Sequence, residues 1–458
     1  MSARNRELLA LIPVAALITA GFTAVFIVQS NRIGDLSLTY GAYFLAVCVA
    51  THLVIRVRLP YADPYLFPLV ALLAAFGLVI LFRIDESLAV KQASLFVVGL
   101  ALFVLTIVLL RDYEVLERYR YVIALTGIGL LILPRFPVIG EQVNGAYLGI
   151  DLGPISFQPA EAAKICVVIF LASYLREHRE VLVVGARRVL GVILPPIKHF
   201  GPLLVVWGAA MLMLIVIRDL GSSLMFFGAF LAVLYVATAR VSFVLIGIAM
   251  FVVGAWVLSA TVPHVGDRVD IWLDPFARGA PEGAGQITQS LYAQADGGLF
   301  GRGLGSSLLE LPGPFAPDCA QPFPDCGSIL PAPHTDFIYA VIVNELGLFG
   351  AVALVITYIL IAERGFKTAV LARDGFGKLL AAGLTAVFAL QAFVILGGVV
   401  RVIPLTGVTL PFVSYGGSSI VANMVLLALL LVISDRARRP DPGRRPPPQD
   451  LEPLEARA

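Results

Sequence analysis

Apolar residues in this chain fall into long blocks rather than spreading evenly, and short polar stretches separate them. A helix needs about 20 apolar residues to cross the hydrocarbon of a bilayer. That length predicts spans at residues 8–29, 36–55, 65–82, 92–110, 121–134, 157–175, 201–217, 222–238, 242–262, 336–362, 379–400 and 413–433, the fifth being the shortest. The expectation is an all-α polytopic membrane protein with about 12 transmembrane helices in one domain over residues 1–434.

Composition agrees. Of 458 residues, 14% are charged and 59% apolar, with a mean hydropathy of +0.90, whereas soluble domains average about 25% charged. These values exclude an ordinary cytosolic globular protein, a disordered chain, a coiled coil and a collagen-like fibre. A net charge of +2 gives no reason to expect a nucleic-acid partner. Basic residues then set the orientation. Arg4 and Arg6, Arg56 and Arg58, Arg111, Arg118 and Arg120, Arg176 and Arg179, and the Arg-rich tail all fall on one side, which the positive-inside tendency makes cytoplasmic. Both termini are therefore expected inside. The first block reads as an uncleaved anchor, because no A-x-A-like site follows it. Residues 435–458, rich in Pro and charge, are expected to be a disordered cytoplasmic tail, with Arg436, Arg438 and Arg439 resting on anionic headgroups.

Most connections are short, but residues 263–335 form one outer segment of 73 residues, and loops of that length are uncommon unless functional. The run Gly297-Gly298-Leu299-Phe300-Gly301-Arg302-Gly303-Leu304-Gly305 lacks the strand and the Gly-Lys-Ser/Thr of a nucleotide loop. It is either a set of tight turns or a backbone surface lying close to a substrate. Cys319 and Cys326, outside the membrane, favour a local disulfide over two free thiols. Cys48 and Cys166, within spans, read as packing residues. After the loop, His334-Thr335-Asp336 puts an ionisable carboxylate at the outer mouth of a span. It reads either as a helix cap or as a general base or cation ligand. Glu161 and Lys164, three apart on one helical face, can neutralise each other inside the membrane. They are a structural pair or a substrate-binding one. Asp336 and Glu345 point to opposite sides of their helix and make no carboxylate pair, and His52, alone in its span, reads as a packed or hydrogen-bonded core residue.

Several segments together resemble the SEDS family (shape, elongation, division and sporulation), which contains RodA and FtsW. Leu410-Pro411-Phe412-Val413-Ser414-Tyr415-Gly416-Gly417-Ser418-Ser419 is the most specific match. In order before it come Phe157-Gln158-Pro159-Ala160-Glu161-Ala162-Ala163-Lys164, Arg218-Asp219-Leu220-Gly221-Ser222-Ser223, Gln286-Ile287-Thr288-Gln289-Ser290, the glycine run, Pro333 to Phe337, and Asn344-Glu345-Leu346-Gly347. Leu81-Phe82-Arg83-Ile84-Asp85 and Gln92 lean toward the RodA branch.

The resemblance implies a peptidoglycan glycosyltransferase of the bacterial cytoplasmic membrane that polymerises lipid II on the outer face, inverting at the anomeric carbon. It implies a class B penicillin-binding protein as partner. It also implies Asp336 as the catalytic residue, and Glu161, Lys164, Arg218, Asp219, Gln289, His334, Thr335, Ser414, Gly416, Gly417 and Ser418 as the substrate-binding set. Lys164, Arg218 and Arg401 are the cations on offer to the pyrophosphate leaving group, with Lys164 first. No clear protein metal site is expected; a Mg or Mn ion would come with the pyrophosphate. The chain departs from the family pattern at Gly145-Ala146-Tyr147-Leu148-Gly149, Asn344, Ile395 and Arg401, and in the piece holding Cys319 and Cys326. The competing functions are a lipid II flippase or other transporter, and a non-catalytic scaffold for the penicillin-binding protein.

Overall fold

The computed structural model describes residues 2–30, 35–136, 140–143, 146–151, 156–184, 187–189, 192–194, 220–277, 284–307, 330 and 332–440. Among these, nine helices are long and apolar enough to cross a membrane. They are Ala3–Ser30, Asp35–Arg58, Leu66–Ile84, Glu86–Leu109, Leu220–Thr238, Val241–Thr261, Ile338–Leu371, Gly375–Val399 and Gly417–Arg438, and each coincides with an expected span. The protein is a multi-pass helical membrane protein.

Three expected spans come out differently. The stretch 121–134 forms the 13-residue helix Arg120–Ile132, too short to cross alone. The stretch 157–175 starts a 26-residue helix, Pro159–Val184, which carries Glu161, Lys164, Arg176, Glu177 and Arg179. The expected span 201–217 lies outside the described residues, as do Arg218, Asp219, Cys319, Cys326 and residues 441–458. Short strands add to the helical plan. Gly140–Val143, Ala146–Asp151 and Ser156–Phe157 pair antiparallel before Pro159–Val184, and Arg187–Val189 pairs with Val192–Leu194 after it.

Burial ranks the helices. In Gly417–Arg438, 83% of the apolar window is covered by protein, against 11% in Val241–Thr261; the first is central and the second faces lipid. Glu86–Leu109 packs on Gly417–Arg438, Ile338–Leu371 on Gly375–Val399, and Ala3–Ser30 on both Asp35–Arg58 and Leu66–Ile84. The long segment 263–335 is not bare loop: it holds the helices Pro263–Leu273 and Ala284–Gly297.

At the end of the bundle away from Asp336, polar groups are spent on one another. The last helix runs to Arg438, past the point where a disordered tail was expected, because Asp435 is buried and accepts from the Tyr61 N–H at 2.8 Å. Arg436 pairs with Asp112 and Glu114 rather than resting free near headgroups, and Arg438 pairs with Asp63. His52 is the hydrogen-bonded core residue expected, with Nδ1 2.9 Å from Glu7 Oε1.

Candidate active site

The helix Ile338–Leu371 begins behind Phe337, and no side chain caps it. The capping reading of Asp336 therefore fails, and its carboxylate is available for chemistry. Its turn, residues 332–337, is stitched to the motif loop before the last helix. Ser414 Oγ donates to the Thr335 carbonyl at 2.7 Å and the Tyr415 N–H to the His334 carbonyl at 2.8 Å, while the His334 and Tyr415 rings meet edge to face at 6.1 Å. Gln92 clamps the same loop from Glu86–Leu109, donating to the Ser414 carbonyl at 2.9 Å and accepting from the Gly416 N–H at 3.2 Å.

Asp336 faces the next stretch of that loop. A Cβ built on Gly407 would lie 3.9 Å from Asp336 Oδ2, and Gly407 has a φ of +69°, a left-handed backbone that glycine adopts without cost. The side chain is partly covered, and burial pushes its pKa up to about 6, against the opposing pull of the Arg268 guanidinium. Arg268 lies on Pro263–Leu273 and also donates to the Leu405 carbonyl at 2.7 Å. A carboxylate with a pKa near the working pH has the proton affinity a general base needs.

Gly407 also lines a cleft of about 40 Å³ shared with Gln158, Glu161, Lys164, Ser222 and Thr409. Gly407 thus stands between the Glu161/Lys164 pair and Asp336, which come from distant parts of the sequence. Lys164 is 2% exposed. Its three ammonium protons go to Glu161 Oε2 at 2.5 Å, Gln391 Oε1 at 2.7 Å and Asn423 Oδ1 at 3.1 Å. With every donor used, Lys164 offers its field rather than a free N–H to an anion in this arrangement. The Gln391 amide N–H group reaches Glu161 Oε1 and the Thr409 carbonyl, both at 3.1 Å, and Asn423 donates to Ser419 Oγ at 3.2 Å. Two buried hydroxyls flanking Gly407, those of Thr406 and Thr409, have no hydrogen-bond partner among the described residues.

The remaining expected positions sort by what they touch. Ser414 serves the chain itself, as above; Ser418 Oγ accepts from the Gln158 N–H at 2.9 Å. Gly416 precedes the last helix, and a Cβ on Gly417 would strike Leu95 at 2.5 Å. Gln289 is exposed on Ala284–Gly297. Arg401 is engaged by the helix Pro263–Leu273, donating to the Trp272 and Leu273 carbonyls at 3.1 and 2.9 Å. The glycine run forms tight turns against a helix break. Gly347 has a φ of +65°, and a Cβ on Gly301 would lie 2.2 Å from the Glu345 carbonyl oxygen. Arg268, Gln391, Asn423 and Gly407 carry no local sequence signal: each is an isolated residue that only the fold brings to Asp336, in the case of Arg268 and Gly407, or to Lys164, in the case of Gln391 and Asn423.

The family model described as cell cycle protein, covering FtsW, RodA and SpoVE, matches residues 64–439. A Mycobacterium tuberculosis protein named peptidoglycan glycosyltransferase RodA is 42% identical over 453 residues, which is 95% of this chain and 92% of the relative. Stage V sporulation protein E of Bacillus subtilis is 32% identical, with 78% of this chain and 90% of the relative covered. Among solved structures, a chain from a peptidoglycan synthase complex that coordinates polymerization and crosslinking superposes with a TM-score of 0.62 at 27% identity, covering 83% of this chain and 99% of that one. Thermus thermophilus rod shape determining protein RodA gives 0.56 at 25% identity, covering 83% and 98%. With a family model running through both Asp336 and the Glu161/Lys164 pair, the chain belongs to the FtsW/RodA/SpoVE family of cell cycle proteins.

Proposed function

We propose that this chain is a peptidoglycan glycosyltransferase of the RodA type, polymerising lipid II at the outer face of the bacterial cytoplasmic membrane, with both termini in the cytoplasm. One observation carries the residue assignment: Asp336 sits with its carboxylate free of the helix cap, against Gly407 of the cleft that holds the Glu161/Lys164 pair.

In this reading the 4-hydroxyl oxygen of the acceptor sugar attacks the anomeric carbon of the donor. The bond from that carbon to the phosphate oxygen breaks, and polyprenyl pyrophosphate leaves with the bonding pair. Asp336 takes the hydroxyl proton, since a sugar hydroxyl is a poor nucleophile near neutral pH. The α-linked donor gives a β-linked product in one inverting displacement, with no covalent enzyme intermediate. Positive charge near the leaving group lowers the barrier, and Arg268 and Lys164 supply it. A Mg²⁺ or Mn²⁺ ion would enter this reading as a companion of the pyrophosphate. The partner is a class B penicillin-binding protein, by analogy with the synthase complex that the fold matches. Polar chemistry at the mouth of apolar helices suits a substrate with a sugar head and a lipid tail.

Purified full-length chain, its penicillin-binding partner and lipid II should yield glycan strands, and Asp336→Ala should yield none while remaining folded and partner-bound. Strands made by Asp336→Ala would remove the base assignment. Lipid II crossing liposomes without polymerisation would replace the enzyme by a flippase.

A further inference from the structure

The loop between Arg401 and Phe412 is in a conformation it would not choose alone. Arg401 and Phe412, neither of them glycine, have φ of 62° and 66°, and the hydroxyls of Thr406 and Thr409 are buried without partners. Such backbone persists only where the surroundings over-determine it, and it gathers where function needs a fixed shape.

The anchors can be assigned one by one. Arg401 is tied to the Trp272 and Leu273 carbonyls, and Arg268 holds the Leu405 carbonyl. At the far end Tyr358 donates its hydroxyl to the Pro411 carbonyl at 2.6 Å. Between these lies Gly407, and the nearest anchor after it is the Thr409 carbonyl, which accepts from Gln391.

Gln391 is fully buried on Gly375–Val399. Its amide can point only one way. An ammonium group cannot accept a hydrogen bond, so Oε1 must face Lys164, which leaves the NH₂ for Glu161, Thr409 and the Ser419 hydroxyl. One side chain therefore binds both members of the ion pair and the loop.

We propose, on the basis of the glycosyltransferase reading, that Gln391 is a positioning residue: its amide fastens the Glu161/Lys164 pair to the Thr409 carbonyl and so holds Gly407 against the Asp336 carboxylate. Gln391 need not touch the substrate. Its part is to make the ion pair a fixed post for a strained loop, so that the space beside the base keeps its shape. The same arrangement gives a buried Lys–Glu pair with no spare donor a function, as the foundation of that post.

The test uses the full-length chain with its penicillin-binding partner and lipid II, comparing wild type with Gln391→Met, which keeps volume and removes the hydrogen bonds, and Gln391→Glu, which keeps shape but sets a carboxylate against Glu161. Rates are normalised to folded, partner-bound protein. Misplacing a reacting group by about 1 Å costs up to about 100-fold, and both variants are expected to lose between about 10- and 100-fold in turnover. The second readout is the acid limb of the rate against pH. Among the described residues the titratable and charged neighbours of Asp336 are Arg268 from Pro263–Leu273 and His334 on its own turn, with Glu161 and Lys164 beyond Gly407; residues 402–411 contain no titratable side chain. Loosening the loop admits water to Asp336, so in Gln391→Met the limb should move down toward ordinary carboxylate values. Loss of rate with an unmoved limb, unchanged rates, or failure of both variants to fold would each make Gln391 a packing residue and overturn the proposal. Absence of strands from wild type would instead overturn the function on which it rests.

Discussion

The carboxylate of Asp336 faces Gly407, with Oδ2 3.9 Å from the position a Cβ would take, at a residue whose φ is +69°. Alanine at 407 meets two obstacles. Left-handed backbone costs a non-glycine residue about 1–2 kcal/mol, and the added methyl occupies the space beside the carboxylate. Gly407→Ala is therefore expected to lower thermal stability modestly and polymerisation by more than about 10-fold, a separation that melting curves and strand assays on one preparation would measure. A variant with normal turnover would mean that the space next to Asp336 is not used by substrate.

Asp336 should also cost the fold stability. Burial raises its pKa to about 6, so the folded state favours the protonated form. That contribution is fully present below the unfolded value, near 4, and is lost as pH rises through about 6. Above pH 7 the ionised group is a liability of about 2–3 kcal/mol. Asp336→Asn is accordingly expected to be inactive yet to melt higher than wild type at pH 7.5, with the gap closing toward pH 4. In wild type, where the base must be ionised, turnover should fall as pH drops through about 6. A melting difference independent of pH would contradict the burial of the charge.

Glu161 and Lys164 separate structural from catalytic roles when changed together. Removing one partner of a buried pair leaves an uncompensated charge and costs about 3–5 kcal/mol, whereas replacing both is often near neutral. Lys164→Met alone should destabilise strongly, and Glu161→Gln with Lys164→Met should recover most of the loss. Polymerisation is expected to stay low in the double variant, because Gln391 then has no charged pair to hold. Recovery of activity along with stability would reduce the pair to scaffolding.

The legible and the hidden parts of this site differ by a physical criterion. A span is a local property, so nine blocks of apolar residues became nine helices; 121–134 fell short because its helix ends at Ile132. The Glu161/Lys164 contact was legible for the same reason, being one turn of one helix. Asp336 stood out as a carboxylate at the mouth of an apolar block. Gln391 and Asn423 did not, since their partner Lys164 is 227 and 259 residues away, and a single amide in a span has no spacing to betray it. In the glycine run the backbone contacts are as hidden as Gln391: Gly301 meets the Glu345 carbonyl and Gly297 the Val343 carbonyl, pairings that the run itself does not encode.

Glu345 extends that last point into a measurement. It is completely buried, accepts from the Gly305 N–H at 2.8 Å and from the Ser307 hydroxyl, and pairs with Arg83 Nε at 3.2 Å, while Arg83 also donates to the Ser307 carbonyl at 2.7 Å. One carboxylate thus gathers the end of Leu66–Ile84, the glycine run and the break at Gly347. Glu345→Gln keeps the shape but leaves the Arg83 charge without its counterion, which costs about 3–5 kcal/mol in a buried setting. Opening should begin where the carboxylate closes the turn, at the Gly305 amide. Hydrogen exchange in the peptide covering residues 297–307 is expected to quicken by at least about 100-fold, with Gly417–Arg438 unchanged. Uniform acceleration through both segments would show that Glu345 supports the whole bundle and not the outer turn.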